Sequence, residues 1–248
     1  MTIPTFKGTL PYLNTEQMIE VDRAMIEDYK IELLQMMENA GRNLATLAKE
    51  LFLEGEPQSQ RVAVLAGTGG NGGGALVAAR RLHSWGASVK VFLSQAAEEF
   101  SGVPARQLEI VQNLGIDVTL GDKAPPETGF DVVLDGLIGY SLKGAPRCNA
   151  ATLIEWANGQ TVPVLSLDAP SGVDTSTGQV FEPAIKADAT MTLALPKEGL
   201  RAEGVKAQVG DLYLADISVP PQLYAAPPLN LQVSSPFTEG EIIRLDKF

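Results

Sequence analysis

The chain has 248 residues, 45% hydrophobic and 20% charged, which is ample material for a core and within the size range of one large α/β domain. Thirty acidic residues against nineteen basic ones leave a formal charge of −11, so nothing draws it to nucleic-acid phosphates or an anionic membrane surface. The longest apolar runs, such as 62–66 and 191–195, fall far short of the roughly 20 residues needed to span a bilayer. The first seventeen residues lack the basic start and apolar stretch of a secretory signal, and Cys148, the single cysteine, has no internal disulfide partner; both features point to a cytoplasmic protein.

In chain order, Asn14-Thr15-Glu16-Gln17 is a helix start signal, and Met18, Val21, Met25 and Ile26 follow at helical spacing. A second helix is predicted over 31–53, with Leu33, Leu34, Met37, Leu44, Leu47 and Leu51 as its buried stripe and Gly41 as a close helix contact. From residue 61 the pattern becomes short apolar runs separated by helical segments. Strands are predicted over 61–66, 88–93, 117–120, 131–134, 162–167, 189–195 and 211–217, and helices over 74–85, 104–114 and 150–157. Alternating strands and helices make βαβ units. The expected fold is therefore a doubly wound, Rossmann-like α/β domain over 1–248, its sheet mainly parallel with helices on both faces and two leading helices packed on it. The proline-rich stretch 219–228 is expected to wrap the surface.

Three loops follow predicted strands and carry the chemistry. The first, Gly67-Thr68-Gly69-Gly70-Asn71-Gly72-Gly73-Gly74, satisfies G-x-G-x-x-G and precedes a helix, the arrangement that lets backbone N–H groups meet an anion. A dinucleotide-binding dehydrogenase would also place an acid at the end of the next strand; here that strand runs into Phe92-Leu93-Ser94-Gln95, which argues against hydride transfer. The second loop, 135–147, offers glycines, Ser141 and the cations Lys143 and Arg147, a combination suited to a phosphate. In the third, Asp168-Ala169-Pro170-Ser171-Gly172-Val173-Asp174, Asp168 stands where open α/β sheets build their sites and is the leading acid/base candidate. Asn71, Asp135 and Ser171 together form an oxygen-only donor set with one carboxylate, which suits a hard cation, compatible with a monovalent one, better than zinc. His83 reads as a solvated surface residue, Met36 and Met37 as core, and Trp85 and Trp156 as packing against the sheet.

Leu13-Asn-Thr-Glu-Gln-Met18 with Asp22-Arg23, Met37-Glu-Asn-Ala-Gly41, the glycine loop, the 135–144 loop, Leu167-Asp-Ala-Pro-Ser-Gly-Val-Asp174, Ala187-Asp-Ala-Thr190 and Leu195-Pro-Lys-Glu-Gly-Leu200 occur in the order found in the YjeF N-terminal domain. Over about 13–219 the chain resembles that family, the NAD(P)H-hydrate epimerases. The resemblance implies interconversion of the R and S epimers of hydrated NADH or NADPH, which carry a hydroxyl at C6 of the nicotinamide ring. It also implies one potassium ion per subunit on Asn71, Asp135 and Ser171. Substrate contacts would come from Gly70, Asn71, Gly72, Gly73 and Gly74, from Gly139, Tyr140, Ser141, Leu142, Lys143, Gly144 and Ala145, and from Asp168. Expected partners are the small-molecule substrate, an NAD(P)H-hydrate dehydratase as functional partner and a second copy in a homodimer. One departure stands out: family members usually carry Asn-Asn-Gly-Gly-Asp-Gly where this chain has Gly70-Asn71-Gly72-Gly73-Gly74-Ala75, so the first Asn and the loop Asp are absent. An alternative for such a chain is a nucleotide-metabolite binding or interaction module of the same fold.

Overall fold

The computed structural model describes residues 3–246. Its strands are β1 (Thr5–Phe6), β2 (Arg61–Ala66), β3 (Ser88–Leu93), β4 (Asp117–Leu120), β5 (Val132–Gly136), β6 (Val164–Leu167), β7 (Ala189–Leu193), β8 (Asp211–Ala215) and β9 (Ile242–Leu245). They form one nine-stranded sheet in the order β1-β9-β8-β7-β6-β5-β2-β3-β4, parallel except for the β8–β9 pair. The central strands are buried along almost their whole length, because helices cover both faces and near-continuous apolar runs are the only sequences that tolerate this.

The helices are α1 (Thr15–Glu27), α2 (Leu33–Phe52), α3 (Gly70–Ser84), α4 (Gly102–Asn113), α5 (Cys148–Asn158), α6 (Lys206–Val209) and α7 (Pro221–Ala225). Alternation along β2 divides the core: Val62, Val64 and Ala66 face the α2–α4 side, while Ala63 and Leu65 face α5 with Phe92, Phe130 and Trp156. A third cluster joins α1 and α7 to Leu212 and Leu214 of β8 and Ile243 and Leu245 of β9. Helix α1 starts where its cap signal stands: Asn14 accepts from the Gln17 amide, and the Gln17 side chain accepts from the Asn14 amide. Gly41 marks the α2–α3 contact, since a Cβ there would lie 2.4 Å from the Gly74 carbonyl oxygen.

All seven predicted strands are present. The edges differ from expectation: β1 and β9 join the sheet as short additions, and the stretch after residue 219 includes α7, with Leu223 and Tyr224 buried, before reaching β9. Helix α3 begins at Gly70, four residues before its predicted start, so the glycine loop supplies the first helical turn and Gly73 N–H donates to the Gly69 carbonyl. Intrinsic glycine propensity opposes this start, and tertiary contact overrides it. Trp85 is 38% exposed at the end of α3, with the Lys49 ammonium over its ring, whereas Trp156 packs as expected. Ile26 of α1 is also exposed. No helix among the described residues is long and apolar enough to cross a membrane.

Candidate functional site

The sheet reverses its winding between β2 and β5, so the loops leaving those two strands diverge and open a crevice at their carboxyl ends. A cavity of about 740 Å³ occupies this position. Its wall includes Gly67–Asn71 after β2, Ser94 and Gln95 after β3, 137–147 after β5, Asp168 after β6, Leu193 at the end of β7 and Lys197 after it. Met18 and Asp22 of α1 and Leu33, Met36, Met37 and Ala40 of α2 close one side. The two leading helices thus wall the site as well as packing on the sheet, and Met18, Met36 and Met37 serve core and cavity together.

The glycine loop separates into two parts. Gly67, Thr68, Gly69, Gly70 and Asn71 line the cavity, and a Cβ at Gly69 or Gly70 would meet nothing within 4 Å. Gly72, Gly73 and Gly74, expected as substrate contacts, are not among the residues lining the cavity, and their Cα atoms pack against the interior. A Cβ on them would fall 1.7 Å from the Gly67 carbonyl oxygen, 2.4 Å from the Met37 sulfur and 2.8 Å from Leu167 Cδ2 respectively. They permit close packing of α3 against the loop, α2 and β6. The missing loop carboxylate corresponds to position 74, and there the buried Leu167 already fills the space. In the β5 loop, Gly139 through Ala145 all line the cavity.

Asp135, at the end of β5, is fully buried beneath this loop. Its Oδ1 accepts from Ser171 Oγ at 2.6 Å and from Leu137 N–H at 3.2 Å; its Oδ2 accepts from Ser166 Oγ at 2.8 Å and Ser171 N–H at 2.9 Å. Burial pushes its carboxyl above the ordinary range, and these four bonds only partly offset that. No cation is paired with it among the described residues. Asn71 is oriented by donating Nδ2–H to the Leu167 carbonyl at 2.8 Å, which turns its Oδ1 toward Gly139. Asp135 and Ser171 are therefore joined directly, while Asn71 Oδ1 lies beside Gly139, where a Cβ would be 3.0 Å from it.

Asp168 occupies a left-handed backbone position, φ 64°, at the sharp exit from β6. Aspartate tolerates this conformation better than most residues, and strain of this kind concentrates at functional positions. Its Oδ2 accepts the Tyr140 N–H at 3.3 Å, and a Cβ at Gly139 would sit 3.2 Å from that oxygen and 3.0 Å from Asn71 Oδ1. Its Oδ1 is paired with Lys197, which is 0% exposed. Lys197 is the main residue that sequence reasoning passed over, although it stood inside the quoted Leu195–Leu200 motif. A lysine after an apolar strand reads as solvated, and only its burial shows otherwise. The Asp22–Tyr140 pair was missed as well: the tyrosine hydroxyl donates to Asp22 Oδ2 and ties α1 to the β5 loop. Burial, partly offset by this bond, raises the Asp22 carboxyl above its usual range.

Lys143 and Arg147 are exposed on the cavity rim and have no ion-pair partner among the described residues. No group of three or more His, Cys, Asp or Glu side chains that could hold a metal occurs among those residues. Any cation here would have to rely on hydroxyl, amide and carbonyl oxygens around one carboxylate.

An open parallel sheet with a ligand-sized crevice at its switch point defines the class as a Rossmann-like α/β protein with its site on the strand-end loops. The family model described as YjeF-related protein N-terminus matches residues 33–199, and the chain belongs to that family. It is 44% identical over 229 residues to a protein of Dehalogenimonas lykanthroporepellens named NAD(P)H-hydrate epimerase, covering 92% of this chain and 90% of the relative. It is 35% identical over 225 residues to the Bifunctional NAD(P)H-hydrate repair enzyme Nnr of Salinibacter ruber, covering 85% of this chain and 41% of that longer protein. The crystal structure of yeast ynu0, YNL200c, superposes with a TM-score of 0.77 at 23% identity, over 95% of this chain and 100% of that one, which establishes the shared fold.

Proposed function

We propose that this chain epimerises hydrated NADH and NADPH, with Asp168 exchanging the proton that the reaction requires. The activity follows from the relatives' names and the family; the observation that supports the residue assignment is Asp168 itself, which lines the cavity on a left-handed turn with Lys197 on Oδ1 and the Tyr140 N–H on Oδ2. C6 of the hydrated ring bears both a hydroxyl and the ring nitrogen. Inversion requires one of those bonds to break and re-form on the other face. If the ring opens, the O–H pair becomes the C=O bond and the C6–N1 pair passes to nitrogen; if hydroxide leaves, it takes the C–O pair while the nitrogen lone pair forms C=N. Both routes move a proton at the C6 oxygen, and Asp168 is the residue proposed to take or return it.

The remaining residues bind and orient. Gly70 and Asn71 open α3 and line the cavity, and the free N–H groups of a helix start suit a phosphate, with Lys143 and Arg147 adding charge at the rim. Gly139 through Ala145 form the wall along which the nicotinamide nucleotide would lie. For the potassium ion implied by the family, Asp135, Asn71 and Ser171 fit in donor chemistry: hard oxygens surround a buried carboxylate that lacks a counter-charge. When bound, such an ion supplies positive charge beside the reacting ring. A homodimer, a cytoplasmic location and a dehydratase acting on the same damaged cofactor complete the reading; in the longer relatives, repair activities share one chain.

The test is to add the protein to a purified single epimer of hydrated NADPH in potassium chloride and follow the epimer ratio by chromatography. Accelerated approach to the equilibrium ratio is expected. Saturable binding with the spontaneous rate unchanged would return the chain to the binding-module alternative.

A further inference from the structure

We infer that Lys197 is a positioning residue for this reaction, holding Asp168 so that only Oδ2 is offered to the substrate. The inference rests on the epimerase reading above. Lys197 lines the cavity yet is wholly buried, and its ammonium meets three acceptors: Asp168 Oδ1, the Leu193 carbonyl at 2.8 Å and Thr192 Oγ1 at 3.2 Å. An ammonium has three protons, so each is already committed and none is left for a ligand. Whatever Lys197 contributes passes through Asp168.

The surrounding backbone makes that arrangement rigid. The residue before Lys197 accepts from Leu13 N–H at 2.8 Å, and the residue after it donates to the Leu13 carbonyl at 3.0 Å, so the segment leading into α1 clamps the lysine from both sides. On the opposite side, Tyr140 N–H holds Oδ2 toward the Gly139 turn. Asp168 is thus fixed at both oxygens as well as by its left-handed backbone. A buried charge pair with few exposed neighbours is a costly device for stability alone, because an apolar pair of similar volume serves as well or better. Its use at the cavity wall is to keep a carboxylate in one orientation out of water.

The experiment measures kcat and KM for a hydrated NADPH epimer with the wild-type chain, Lys197→Met, Lys197→Ala and Thr192→Val. Lys197→Met is expected to lower kcat by about 10²-fold while KM changes less than about threefold, the pattern of a lost transition-state orientation. Ethylammonium should restore part of the kcat of Lys197→Ala and none in an Asp168→Asn/Lys197→Ala double variant, a rescue that a packing role would not produce. Thr192→Val, an isosteric change that removes one anchor of the ammonium, should lower kcat several-fold; it supplies the answer if the lysine variants fail to fold. Wild-type kcat in Lys197→Met or in Thr192→Val, a rise in KM that accounts for the whole loss, or absence of amine rescue in folded Lys197→Ala would overturn the inference. Conversion by the wild type accompanied by any of these results leaves the epimerase reading standing; no conversion by the wild type removes both.

Discussion

Neighbouring strands β5 and β6 each carry a buried aspartate at the carboxyl end, Asp135 one residue before the end of β5 and Asp168 just after β6, and the molecule gives the two carboxylates opposite surroundings. Asp135 receives two hydroxyls and two backbone amides, meets no cation among the described residues and lies under the loop that lines the cavity. Asp168 has an ammonium on one oxygen and a cavity wall at the other. Neutral donors leave a buried carboxylate with its charge unbalanced, which supports the proposed cation site, whereas a fixed ammonium balances the charge and leaves one oxygen for the proposed proton exchange. Position at a strand end therefore does not assign a role. The partners delivered by later loops do.

The sharpest way to break this comparison is to neutralise the two aspartates separately. Asp168→Asn is expected to cut epimerisation by about 10³-fold with the fold retained, measured as the rate of epimer exchange and by circular dichroism. Comparable loss in Asp135→Asn at saturating potassium, with none in Asp168→Asn, would reverse the two roles. Next in size, Asp135→Ala strands four donors in the interior and is expected to cost about 3 kcal/mol, read as a lower urea midpoint at unchanged m-value.

Gly139→Ala sharpens the comparison, since its methyl group would press on Asn71 Oδ1 and Asp168 Oδ2 together. About a tenfold loss of kcat is expected with little change in melting temperature, because a small misplacement at the reacting centre is costly. Replacing potassium chloride with choline chloride should slow the wild type but leave an already slowed Asp135→Asn unaffected; equal slowing of both would detach the cation from Asp135.

The smallest effect concerns Asp22, across the cavity. Its folded carboxyl lies above the ordinary 3.8, so the folded chain holds this proton more tightly than the unfolded one. Stability from this group falls as pH rises from about 3.8 through the raised value and stays lower above it. Asp22→Asn keeps an acceptor for the Tyr140 hydroxyl and should flatten that slope, seen by chemical denaturation across the same window. An unchanged slope would show that Asp22 does not titrate differently on folding.

Much of the fold was legible because its signals are local. Buried parallel strands need unbroken apolar runs, and Asn14 with Gln17 writes a cap into four residues. Strands β1 and β9 were not legible, since two residues at β1 and four at β9 carry no periodicity; pairing of β9 with β8 and of β1 with β9 makes them strands. At the site, the three loops and Asp168 could be found from glycines and strand ends. The inward packing of Gly72–Gly74 could not, because it depends on where Met37 and Leu167 arrive from elsewhere in the chain. Lys197 was hidden for the same reason.

The amino-acid order alone determined the βαβ succession, the cap of α1 and which loops would hold polar groups, since each depends on residues within a few positions of one another. Tertiary structure alone decided which aspartate meets an ammonium and which meets only neutral donors, which glycines face the cavity and which face the core, and that α1 and α2 become a wall of the site. Those outcomes arise from contacts between segments tens of residues apart, and burial, which sets the energetics of every charge involved, exists only once those segments have packed.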